Sequence, residues 1–179
     1  MRLLRTFARY NVWAHERLLA SVAALSDEAY HGHQNLPFRS IHGTLNHILL
    51  AEKLLLGRLH PPAADPSLGR NWDRADSELY AAPGAASIYW EEIVPNRACL
   101  ADELVDHARR LAAHVDTIPS SDTVIAYQTT DGCSAEKAAG VLVLHAVNHA
   151  THHRGQVSAV LAQLKLPPPI MDLSYFPHA

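Results

Sequence analysis

Between Ser40 and Pro61 the chain carries a stretch that is apolar nearly all the way round a helix: Ile41, Leu45, Ile48, Leu49, Leu54, Leu55 and Leu56. The spacing predicts a helix over Ile41–Leu59, with Ser40 as its N-cap and Pro61-Pro62 as its terminator. Such a helix cannot lie on a surface. It has to be surrounded by other helices. One polar ring stands within it, His47, and a buried imidazole needs a partner.

Three further long segments can do the surrounding. Leu3, Phe7, Tyr10, Ala14, Leu18 and Val22 recur at helical steps and predict a helix over Leu3–Leu25. Ser26-Asp27-Glu28 then reads as the cap and first turn of a short helix. Another long helix is expected over Ser87–Val115. Pro95 falls inside it, so the helix either starts near Val94 or kinks there. The fourth is expected over Ala135–Leu164, capped by Ser134, with Glu136 in its first turn and Pro167-Pro168-Pro169 beyond its end. Residues 61–87 are the least regular, with one short helix expected near Ala75–Tyr80. Thr123–Tyr127 has strand character between Pro119 and the Asp131-Gly132 turn signal, and reads as a short hairpin or extended loop. Four long helices joined by loops of varied length indicate an all-α helix bundle, taken as a single domain over 1–179.

Composition narrows the function. The net charge is -3 with histidines neutral, and no Lys/Arg block appears, which argues against a nucleic-acid partner. Only two cysteines occur, Cys99 and Cys133, too far apart for a thiolate zinc site and not suggestive of a disulfide framework. Arg2, Arg5 and Arg9 interrupt any signal-peptide core, and no apolar run is long enough for a membrane span. A cytoplasmic location is expected.

Histidine is over-used instead, with 13 in 179 residues. His145, His149, His152 and His153 crowd one short stretch. His149 and His153 are spaced i, i+4, which stacks both imidazoles on one helical face within reach of a single ion. His47 is the best third donor. His145 is also four residues from His149, so a His145/His149 pair is an alternative. His152 lies about 100° round the axis from His153 and faces solvent or a partner subunit. His15, His31, His33, His42, His60, His107, His114 and His178 are expected on the surface or in loops. Asn46 and Asn148 precede two of the donors and are candidates for orienting hydrogen bonds. Glu52 lies about 140° round the helix from His47, which suits an ion-pair partner better than a general base. Tyr10 and Trp13 read as core, with lining of the pocket as the alternative.

The run His149-Ala150-Thr151-His152-His153-Arg154-Gly155-Gln156 resembles the H-x-x-x-H-R-G-Q signature of the DinB/YfiT-like superfamily. Tyr10-Asn11-x-Trp13-Ala14 with Arg17-Leu18-Leu19 resembles that family's first helix. Ser40-Ile41-x-x-Thr44-Leu45-x-His47-Ile48 with Ala51-Glu52 resembles its second. Pro167-Pro168 and Asp172-x-x-x-Phe176 are similar too, so the resemblance spans most of the chain and is weak only from about residue 61 to 120. It implies an antiparallel four-helix bundle with an unusual long connection, and His47, His149 and His153 as ligands of one divalent ion, zinc or nickel. It also implies a homodimer, and relatives that are metal-dependent transferases or isomerases using small thiols such as bacillithiol or mycothiol. Within the signature, Gly155 suggests close helix packing, Arg154 a surface position, and Gln156 a hydrogen bond to a ligand ring or to metal-bound water.

Three neutral histidines leave at least one coordination position open, the arrangement of a catalytic site. The resulting expectation is a metal-dependent enzyme, either a small-thiol S-transferase or a hydrolase, acting on a small molecule. No catalytic residue can be named from the sequence. Two other classes fit the same residues: a non-catalytic metal-binding or stress-related bundle, and a structural dimer whose histidines are hydrogen-bonded.

Overall fold

A computed structural model describes residues 1–60, 68–80 and 87–177. The described chain is mostly helical. Its elements are α1 (Arg2–Val22), α2 (Asp27–His31), α3 (Ile41–Leu59), α4 (Asp76–Leu79), α5 (Arg97–Thr117), β1 (Val124–Gln128), β2 (Ser134–Ala138) and α6 (Ala139–Gln163), with 3-10 turns at Gly69–Trp72, Tyr89–Glu92 and Leu173–Tyr175.

The apolar helix α3 has the surroundings its sequence demands. It packs on α5 and α6, and α1 packs on the same two helices. One core cluster gathers Leu18, Leu45, Leu104 and Leu161, and a second gathers Leu4, Leu55, Leu111 and Val143, so each draws on all four long helices. Ser40 caps α3 as expected, its Oγ accepting from the Gly43 N–H at 3.0 Å. Ser26 likewise caps α2. The face of α1 is rotated from the expected one. Leu3 is exposed, while Leu4, Ala8, Asn11 and His15 join Tyr10, Ala14, Leu18 and Val22 inside.

Two helix starts differ from expectation. The third long helix begins at Arg97, close to the Val94 start that Pro95 suggested and well after Ser87. Asn96 caps it, accepting from the Cys99 N–H at 2.9 Å, and Pro95 stands outside, where it deprives no helical carbonyl of a donor. Ser134–Ala138 is not the first turn of the fourth helix. It is strand β2, antiparallel to β1 with Val124 opposite Ala138 and Gln128 opposite Ser134. Gly132 sits in the turn at φ 82°, a conformation that favours glycine. β1 leans on α3, and Ile125 and Tyr127 pack against the second core cluster. The short helix near Ala75–Tyr80 is present as α4. The expected terminator Pro61-Pro62, and His178, lie outside the described residues. No helix among the described residues is long and apolar enough to cross a membrane.

Candidate metal centre

α3 and α6 pack side by side, and that contact carries His47 to His149 and His153. His47 Nε2 lies 3.1 Å from His149 Nε2, and His153 Nε2 lies 3.2 Å from the same atom. One nitrogen from each of the three residues falls within 4.8 Å of the other two. Among the described residues, no other set of three or more His, Cys, Asp and Glu side chains converges in this way. His145 is exposed and its ring is 6.1 Å from that of His149. It is not one of the converging three.

Gln156 fixes the orientation of one ring. Its Oε1 accepts from His153 Nδ1 at 2.8 Å, so Nδ1 carries the proton and the Nε2 lone pair points inward. The expected hydrogen bond from Gln156 to a donor ring is therefore present. That leaves two N···N contacts at His149 Nε2 for which hydrogen bonds alone are inadequate. If His149 donates to His153, His47 faces a donor already in use. If His47 donates to His149, the His149–His153 contact is lone pair against lone pair. A cation at the centre would satisfy all three at once. Metal–nitrogen bonds of the usual length separate two ligand atoms by about 2.9 Å at a right angle and about 3.3 Å at the tetrahedral angle. The two separations at His149 lie between these values and the third pair lies within 4.8 Å, a spacing compatible with one divalent ion.

The rings are also electrically prepared. Burial, followed by the neighbouring His149 and His153, lowers the His47 pKa to about 2. Burial, followed by His153 and His145, lowers that of His149 to about 4. His153 is lowered too, burial outweighing its bond to Gln156. All three are neutral near pH 7, the form that binds metal.

Aromatic groups close the inner side. Phe38 stacks on His47 with ring centroids 3.8 Å apart, and Trp90 meets the same ring edge-on at 4.6 Å. Trp90 is itself held by its indole N–H, which donates to the Leu79 carbonyl. Phe38 can approach because residue 43 is glycine: a Cβ there would collide with the Phe38 carbonyl oxygen. Next to Phe38, Arg39 adopts φ 71°, and its guanidinium donates to the His31 carbonyl at 2.8 Å and to Glu91 at 2.6 Å.

The DinB family profile matches residues 1–179, the full length of the chain. The chain belongs to the DinB family. No curated protein sequence matches it. In this DinB protein the three converging histidines are those of the H-x-x-x-H-R-G-Q run and of the second-helix motif.

Beside them lies a buried polar network that includes His15 and Arg154, both expected on the surface. Glu52 and His15 are fully buried, with His15 Nε2 2.9 Å from Glu52 Oε1. Asn11 Nδ2 donates to the same oxygen at 2.7 Å, and Arg154 donates to Asn11 Oδ1 at 2.6 Å and to Thr151 Oγ1 at 2.8 Å. Asn11 thus relays between a carboxylate and a guanidinium. Burial pushes the Glu52 pKa up, but His15, Asn11 and Arg154 together outweigh it and hold the carboxyl below its ordinary range. Burial keeps His15 neutral against the pull of Glu52. Glu52 is thus a buried carboxylate that accepts hydrogen bonds from Asn11 and neutral His15, with Arg154 as its counter-charge across Asn11.

Several expectations around the site need correcting. Arg154 is buried, not a surface arginine. Gly155 is exposed and a Cβ there would meet nothing, so it serves no close packing. Asn148 is exposed. Asn46 is buried, but it orients no donor ring. Its Oδ1 accepts from the Val94 N–H at 2.9 Å and ties the approach to α5 onto α3. His42 is also buried, its ring 5.4 Å from Tyr30 and 4.5 Å from His31. The signal for the network was present in the sequence: Leu4, Ala8, Asn11, His15, Leu18 and Val22 follow one helical face, which makes Asn11 and His15 core positions.

Proposed function

We propose that this DinB protein is a metal-dependent enzyme in which His47, His149 and His153 hold one divalent ion, zinc or nickel, and leave at least one coordination position open. The reaction class is transfer of a small thiol to an electrophile, with metal-assisted hydrolysis as the narrower alternative. The proposal includes a single domain arranged as an antiparallel four-helix bundle, a cytoplasmic location and a homodimeric assembly.

One observation carries this reading: three imidazole nitrogens from two helices face one another at separations that fit metal ligation and that hydrogen bonding alone satisfies poorly. When bound, the ion would act as a Lewis acid, stabilising a thiolate near neutral pH or polarising a substrate oxygen. The chain's own contributions are positional. Gln156 holds the His153 ring in the tautomer that turns Nε2 inward. Phe38 and Trp90 press His47 into place and keep water from its inner face. His149, only partly buried, borders the cavity through which a substrate would arrive.

A screen of small thiols against alkyl and aryl electrophiles, using protein loaded with zinc or nickel, tests the catalytic claim. Turnover that disappears in His47→Ala supports it. Stoichiometric metal binding with no turnover for any pair would leave a metal-binding module and overturn the enzyme assignment.

A further inference from the structure

A cavity of ≈ 230 Å³ borders the triad, with His47, Leu54, Arg58, Trp72, Thr130 and His149 in its wall. Leu54, Arg58 and Thr130 also line a second, larger cavity of ≈ 1080 Å³ between the outer end of α3, the β1–β2 hairpin and the 3-10 turn that ends at Trp72. The two spaces therefore meet at Arg58. In the inner one Arg58 is the only Lys, Arg, Asp or Glu among the described lining residues. In the outer one the other charged groups are Arg70, Asp73 and Glu136, all exposed.

Arg58 has no counter-ion among the described residues. Its buried Nε has no hydrogen-bond partner among them. Its guanidinium carbon lies 5.0 Å from the centroid of the Tyr127 ring. Burial pushes its pKa down, with Tyr127 opposing. A partly desolvated cation without a carboxylate partner among the described residues is stabilised by an incoming anion.

Placement on the helix sets the spacing. His47, Ala51, Leu54, Leu55 and Arg58 follow one face of α3, and eleven residues correspond to about 16 Å along the axis. Arg58 and His47 line the same cavity, so a short chain bound at the guanidinium can extend toward the triad. The described wall between is Ala51, Leu54, Leu55 and Trp72, with Thr130 and His145 as its polar members.

We propose that Arg58 is the specificity determinant of the substrate site, and that the substrate is a small monoanion whose carboxylate pairs with Arg58 while an apolar chain runs along α3 toward the triad. This rests on the metal-centre reading for the reacting end only. The anion site itself needs no metal. A single arginine in an apolar neck suits one carboxylate better than a dianion, which would keep an unneutralised charge.

Calorimetric titration of the full-length protein, chelator-treated and zinc-loaded, with 6-mercaptohexanoate and its uncharged analogue 6-mercaptohexan-1-ol, tests the proposal. The chelator-treated wild type should bind the acid at least tenfold more tightly than the alcohol. Arg58→Gln should erase that preference while leaving the alcohol affinity and the circular dichroism spectrum unchanged, and Arg58→Lys should keep part of it. If Arg58→Gln does not fold, the acid preference of the wild type and its reduction in Arg58→Lys decide the matter. Wild type that fails to bind the acid or to prefer it, or a folded Arg58→Gln that retains the preference, would overturn the proposal. Zinc should tighten both thiols equally. If it tightens neither while the Arg58 preference persists, the metal-centre reading fails and the anion site stands.

Discussion

His47 Nε2 and His149 Nε2 sit 3.1 Å apart although 102 residues separate them in sequence. The contact depends on α3 and α6 being neighbours, and α3 is driven inward by its apolar circumference. The hydrophobic pattern that builds the core thereby also assembles the site.

The Gln156–His153 bond gives the first prediction. Gln156→Leu removes the acceptor that fixes His153 Nδ1–H, so the ring loses both its tautomer preference and its orientation. Zinc affinity, measured by competition with a chromophoric chelator, should fall about 10- to 100-fold, the usual effect of losing such an outer partner. Affinity within twofold of wild type would show that His153 is oriented by packing alone.

The Glu52 network gives the second. Glu52→Leu strips the carboxylate from His15 and Asn11 and leaves the Arg154 charge buried without its counter-ion. Breaking one side of a buried pair costs about 3–5 kcal/mol. Urea unfolding of the metal-free protein should show a loss of that size. A loss under about 1 kcal/mol, the range of an exposed pair, would mean that Arg154 finds another way to be satisfied.

What the sequence shows and what it hides differ by physical cause. The bounds of α3 and its Ser40 cap are legible because apolar periodicity and a side-chain cap are local signals. So are the i, i+4 pair on α6 and the likeness of its motif to the DinB signature. The start of α6 is not, because Ser134-Ala-Glu-Lys-Ala138 has helix-compatible composition and pairs instead with Val124–Gln128 across a Gly132 turn. A non-local ladder overrides local propensity there. The burial of His15 and Arg154 is hidden because charge and polarity read as surface until their partners on other helices are known. Trp72, Trp90 and Phe38 come to His47 from loops whose paths no periodicity fixes.

Acid sensitivity of the metal-free protein gives the third prediction. Burial lowers the folded pKa of His149 to about 4 and that of His47 to about 2, against an ordinary value of 6.5. The unfolded chain therefore takes up protons from pH 6.5 downward while the native state does not. The stability these groups contribute is complete above pH 6.5 and is lost as pH falls toward 4 and below. The melting temperature of chelator-treated protein should drop between pH 7 and pH 5, and the drop should be shallower in His47→Leu/His149→Leu. Parallel slopes in the two proteins would contradict the pKa assignment.

The glycine under Phe38 gives the fourth. Gly43→Ala places a Cβ against the Phe38 carbonyl at the start of α3. The loop must then shift, and with it the ring stacked on His47. A stability loss of about 1–3 kcal/mol is expected, together with weaker zinc binding. A stabilised variant, the usual result of Gly→Ala in an unstrained helix, would show that the loop yields freely.

Elemental analysis of untagged protein, set against His149→Ala/His153→Ala, bears most directly on the three-histidine centre. About one zinc or nickel per chain in the wild type, and none in the variant, is the expected result for a three-nitrogen site. No metal in either protein, even after incubation with zinc or nickel, would contradict it and leave a helical protein whose facing histidines are structural.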